Sequence, residues 1–212
     1  MPRHSSPAAS RPAALLVEAT HRLEQSASLD GLVSAYARIA DPLDRWRRSD
    51  LLRAGLIGHA LHPILTDLPI GCWTAATALD LRGRPEDRGA SRWLVGAGLA
   101  AVAPTVATGL AEWARAGREA QRVGALHGAL NVVATTLYAT SYAARSRRHH
   151  GLGVAAALAG AAVTGASGYL GGHLTTARKV GSRDPSFADD NTWSSPGSDP
   201  GPDPTTGRGS LT

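Results

Sequence analysis

Four histidines and two carboxylates stand out as residues that could do chemistry: His59, His62, His127 and His173, with Asp67 and Glu112. All six lie in or beside apolar text, where an ionisable side chain is expensive and is tolerated for a reason. Imidazole suits haem iron, zinc, copper and non-haem iron. Two imidazoles from different helices can bracket a haem b inside a helical bundle. His59 and His62, with His127 or His173 and a carboxylate from Asp67 or Glu112, can instead hold one divalent metal ion. A structural reading competes with both: each histidine bonds a backbone carbonyl, and Asp67 caps the first turn of its own helix. A proton or quinone site is a further alternative, with Asp67 or Glu112 carrying the proton.

The elements that position these residues are long apolar runs. The stretch His59–Leu81, HALHPILTDLPIGCWTAATALDL, places Pro63 where a first helical turn tolerates it, with Asp67 one turn further in. No Asp, Glu, Lys or Arg occurs in Trp93–Ala111, Val123–Ala144 or Gly151–Ala177, and each run reaches the roughly 20 residues of a membrane span. The fold expected is all-α: an integral membrane four-helix bundle with spans at about 63–81, 93–113, 123–144 and 151–173. Pro69 should kink the first span, because it cannot donate to the Leu65 carbonyl. Ala101, Thr105, Thr108 and Glu112 fall on one face of the second. Gly160, Thr164, Gly168 and Gly172 form a small-residue ladder on the fourth, the helix expected to pack most tightly.

Alternating span direction brings the polar residues to one membrane face. His59, His62 and Asp67 start the first span and Glu112 ends the second. His127 and Asn131 open the third, and His173 ends the fourth. Rigid helices hold ligands better than approach segments, so His127 and His173 are expected to form the inner pair. His62 is then a third ligand or hydrogen-bond partner, and His59 is outermost.

Outside the spans, residues 1–12 read as disordered and 13–57 as an N-terminal amphipathic helical segment. In it Leu29, Leu32, Val33, Tyr36 and Ile39 share a face, and Asp41–Pro42 breaks the pattern. The arginines at 45, 47, 48 and 53 suit a helix lying in the interface or packed on the end of the bundle. The membrane domain is expected over 58–180, followed by a disordered, Pro/Gly/Ser/Asp-rich tail over 181–212. No internal repeat is obvious.

The formal charge is +5, carried by arginine apart from Lys179. These cations flank the apolar runs, so they point to the lipid bilayer and not to nucleic acid. The excess on the side of the termini places both termini in the cytoplasm and the chain in the inner (plasma) membrane. Cys72 is alone, which excludes a disulfide framework or thiolate metal cage within one chain.

Four patches resemble one family: Leu56–Leu81 (LIGHALHPILTDLPIGCWTAATALDL), Gly109–Trp113 (GLAEW), Arg122–Asn131 (RVGALHGALN) and Gly168–Leu174 (GYLGGHL). In order and spacing they are similar to the bacterial membrane domain of the domain-of-unknown-function family 2231, over roughly Leu51–Val180. The resemblance implies histidine at His59, His62, His127 and His173. It implies proline where this chain has Ala60, and aspartate where it has Glu112. Relatives are often fused to a Rieske iron–sulfur domain, which implies a redox setting. The tail here has neither Cys nor His, so any such cluster must come from a separate redox protein. The function expected is an uncharacterised integral membrane protein serving as a redox or cofactor-binding (haem or metal) module. The alternative is a non-catalytic membrane scaffold or partner-binding protein whose histidines are structural. No hydrolase nucleophile motif is present.

Overall fold

The computed structural model describes residues 11–45 and 61–181. The described residues are almost wholly helical, as the apolar runs and the scarcity of turn signals within them require. Helix α1 spans Arg11–Gln25. A 3-10 turn at Ala27–Leu29 leads into α2, Asp30–Arg45. Four long helices follow: α3 (Leu61–Arg82), α4 (Arg88–Trp113), α5 (Arg118–Ser146) and α6 (His150–Gly172). A π-turn at His173–Ala177 closes the described chain.

Short connections make α3–α4 and α5–α6 antiparallel hairpins. In the first, His62 meets Gly109 while Trp73 meets Gly98. In the second, His127 meets Gly171, Tyr138 meets Gly160 and Arg145 meets Gly153. The hairpins join through α4 against α5 and α3 against α6, so that Trp73 of α3 stacks across the core on Tyr138 of α5, ring centroids 3.9 Å apart. Helices α3 and α5 therefore run in the same direction. Glycine at 98 and 160 is required by these rings: a Cβ would lie 2.3 Å from Trp73 Nε1 and 3.0 Å from Tyr138 Cε2.

One sequence expectation stands in part and two change. Of the four runs, two helical segments are long and apolar enough to cross a membrane: Pro85–Trp113 and His150–Ala177. The other two helices, α3 and α5, carry the polar residues that face each other across the core. Of the ladder's three glycines on α6, only Gly160 makes a close approach. Gly168 and Gly172 have nothing within 4 Å of a built Cβ, and the close approaches are at Gly153, Gly160 and Gly171. Pro42 does not end its helix; α2 continues for one turn past it.

Helices α1 and α2 pack against α5, and α2 also against α4. Val33 and Ala40 are buried there with Trp113 and Ala125, and Leu32 and Tyr36 lie against them. Ile39, expected on that face, points outward. The expected interfacial helix lies largely at 46–57, outside the described residues, as do most of the expected disordered ends at 1–12 and 181–212, although Arg11 and Pro12 open α1.

Candidate functional site

The backbone N–H of His62, in the first described turn of α3, has a partner on another helix. Glu112, at the end of the antiparallel α4, supplies it: its Oε1 lies 3.2 Å from that nitrogen. The polar face foreseen on α4 is buried here, with Thr105, Thr108 and Glu112 nearly inaccessible. Pro69 leaves the Leu65 carbonyl without its helical donor. Thr105 Oγ1 lies 3.2 Å from that oxygen and 2.8 Å from the Ala101 carbonyl, so it shares its proton between them.

His62 Nδ1 is 2.9 Å from the Thr105 carbonyl. A carbonyl only accepts, which assigns the proton to Nδ1. His127 repeats the arrangement on the other hairpin, Nδ1 lying 2.9 Å from the Ser167 carbonyl. Its Nε2 then accepts from Asn131 Nδ2 at 3.0 Å, and Ser167 Oγ donates to Asn131 Oδ1 at 2.9 Å. Histidine, asparagine and serine thus close a ring of hydrogen bonds between α5 and α6. The two imidazoles face each other across the core, centroids 6.4 Å apart and planes nearly perpendicular.

His173 belongs to a different cluster. Its Nε2 lies 2.7 Å from Glu24 Oε1, on α1. Arg178 Nε donates to the same oxygen at 2.6 Å, and Arg178 Nη2 pairs with Glu24 Oε2. These bonds, Arg178 first, hold the Glu24 carboxyl down at about 2 against its ordinary 4.5. Nearby, Arg122 grips Asp30 with two nitrogens at 2.8 and 3.1 Å and donates to the Glu24 carbonyl at 3.0 Å. Arg122 and Arg178 thereby fasten α1 and α2 to the end of the long helices.

Of the expected inner pair, His127 instead faces His62, because α3 and α5 lie diagonally opposite across the core, while the π-turn carries His173 to α1. Asp67 is exposed on the outside of α3, beside Ile64 and Leu68. His59 lies outside the described residues. Among the described residues, no three His, Cys, Asp or Glu side chains converge closely enough to hold a metal ion.

Sequence reasoning missed a buried ion pair at the opposite end. Arg145 Nη2 is 2.6 Å from Asp80 Oδ2, with both side chains almost fully buried, and Ser91 Oγ bridges them at 2.7 Å to Asp80 Oδ1 and 2.8 Å to Arg145 Nη1. Asp80 and Arg145 each end an apolar run, so in the sequence they resemble loop charges. Their 65-residue separation hides the pairing.

The model of the domain-of-unknown-function family 2231, described as predicted membrane protein, matches residues 58–184. The chain belongs to this family. The match covers all four long helices and both histidines of the facing pair, as the sequence resemblance implied. No curated protein and no solved structure matches the chain.

Proposed function

We propose that this member of family 2231 is a four-span integral membrane protein that acts as a non-catalytic scaffold. Its bundle of α3–α6 presents the α1–α2 pair at one membrane face. The observation that carries this reading is the state of His127: both ring nitrogens are already bonded within the chain, in a closed ring with Asn131 and Ser167. A histidine so engaged works as a pin between helices. Large apolar side chains face outward along the four helices, Leu68, Trp93, Val106, Val132 and Leu158 among them, as lipid contact requires. Helices α3 and α5 are too polar to qualify as spans alone, but their polar residues lie against each other, where lipid does not reach. The flanking arginines favour the inner membrane with the termini in the cytoplasm.

A second reading has its own support. A carbonyl on Nδ1 is the usual way a protein orients a metal-binding imidazole, and two such rings face each other here at 6.4 Å. A haem or divalent metal held by His62 and His127 would require Asn131 to release Nε2. Electrons would then come from a separate redox protein.

Protein expressed with haem precursor and transition metals in supply, then purified in detergent, separates the two. The scaffold reading predicts no Soret band and no stoichiometric metal, with a lowered melting temperature for His127→Ala. Stoichiometric haem or metal that His62→Ala and His127→Ala both lose would establish the second reading instead.

A further inference from the structure

The three contacts between α3 and α5 share one interval. The 65 residues that separate Asp80 from Arg145 also separate Trp73 from Tyr138 and His62 from His127. At each level of the core, a residue of the first hairpin meets its own counterpart in the second. The partners on α4 and α6 correspond as well, again at one constant interval. His62 bonds the Thr105 carbonyl and packs on Gly109; His127 bonds the Ser167 carbonyl and packs on Gly171. Trp73 fills the notch at Gly98; Tyr138 fills the notch at Gly160. Near the far end, Ser91 Oγ of α4 reaches the Ala76 carbonyl of α3, while Ser141 Oγ of α5 reaches the Gly153 carbonyl of α6. The same two positions are bridged in both hairpins, with donor and acceptor exchanged.

Contacts between a position and its own equivalent arise where a two-fold axis passes. Such contacts at three successive levels define an axis along the helices, the arrangement of parallel repeats about the membrane normal. We infer that the membrane unit is two copies of one helical hairpin, and that Asp80 and Arg145 make the inner face of each specific for the other. The repeat escapes sequence inspection because few identities survive beyond Leu61-His62 and Leu126-His127. What persists is residue class: aromatic at Trp73 and Tyr138, small hydroxyl at Thr105 and Ser167, glycine at the two notches.

At the ion pair the equivalent positions of the two halves carry opposite charge. A hairpin meeting a copy of itself would oppose two aspartates, or two arginines, in a buried site. Like charges there are strongly unfavourable, whereas the unlike pair is held by Ser91, which bonds both groups, and by Ser141, which accepts from Arg145 Nε at 3.0 Å. Asp80 and Arg145 thus act as a key that rejects self-pairing. The partner that each inner face fits is the complementary hairpin, from the same chain or from a second copy.

Charge exchange in the full-length chain tests this. Asp80→Arg opposes two arginines and Arg145→Asp opposes two aspartates. Each alone should shift the folded fraction down by about two orders of magnitude, seen as lost monomer in detergent. The double exchange Asp80→Arg/Arg145→Asp should recover monomer and thermal stability. An ordinary salt bridge also passes that step, so the deciding measurement is co-expression of the two single variants under different affinity tags. Exchange of hairpins between the chains restores unlike pairs in both halves of a dimer. The single variants should therefore co-purify with each other at about tenfold or more above either with itself. Co-purification no better than self-pairing, or no recovery by the double exchange, overturns the inference.

Discussion

Glu24 and His173 stand 149 residues apart in the chain, yet 2.7 Å separates Glu24 Oε1 from His173 Nε2. With Arg178 on the same carboxylate, this contact fastens the N-terminal helices to the end of α6. Glu24 is almost fully buried, so its removal leaves His173 and Arg178 short of a partner. Glu24→Gln should weaken the docking of α1 by about 1.5–3 kcal/mol, the range for hydrogen bonds to charged groups. Limited proteolysis in detergent reads this as faster cleavage in the α1–α2 region, with α3–α6 left intact.

The same carboxylate gives a pH dependence. Its pKa is lower in the folded protein, about 2 against an ordinary 4.5. The stabilisation is therefore complete above about pH 4.5 and is lost as the pH falls towards 2. Acid should release α1 through that window in the wild type, whereas Glu24→Gln should show a flatter profile. Protease sensitivity measured along a pH series with an acid-active enzyme checks the difference.

Two glycine substitutions should rank by geometry. A Cβ at Gly98 would lie 2.3 Å from Trp73 Nε1, and one at Gly160 would lie 3.0 Å from Tyr138 Cε2. Overpacking of this kind costs about 1–3 kcal/mol. Gly98→Ala should approach the upper end and Gly160→Ala the lower. Gly168→Ala, with nothing within 4 Å, should be neutral. Melting temperatures in one detergent give the order directly.

Those glycines also mark what was legible in the sequence. The long helices followed from runs without charge, and the buried face of α4 followed from the spacing of Thr105, Thr108 and Glu112. The grouping of His62, Glu112 and His127 at one end followed from alternating helix direction. Neighbour choice did not follow. Span counting places His127 and His173 at similar depth but does not say that α3 and α5 face each other across the core. Nothing in the sequence marks Glu24, since only the fold brings His173 and Arg178 to it. Asp80 and Arg145 sat where loop charges are expected. The ladder of four small residues on α6 overstated contact, because of the α6 glycines that meet a neighbour, Gly153, Gly160 and Gly171, only Gly160 belongs to it.

The histidine ring of bonds yields a further expectation. His127→Ala removes the donor to Ser167 and leaves Asn131 and Ser167 short of partners. The loss should be about 1–3 kcal/mol, the range for an unsatisfied buried group. Asn131→Ala should lose less, because His127 keeps its bond to the Ser167 carbonyl. Differential melts of both variants, in protein shown to be free of haem and metal, check the order.

Four membrane crossings are the claim on which the rest depends, and cysteine accessibility in intact cells tests them most directly. In a Cys72→Ala background, single cysteines replace the exposed residues Ser28, Arg88, Gly117 and Arg147. A membrane-impermeant maleimide added from outside should label the Arg88→Cys and Arg147→Cys proteins, and label the Ser28→Cys and Gly117→Cys proteins only after the membrane is opened. Labelling of all four from the same side would contradict the two-hairpin, four-span arrangement.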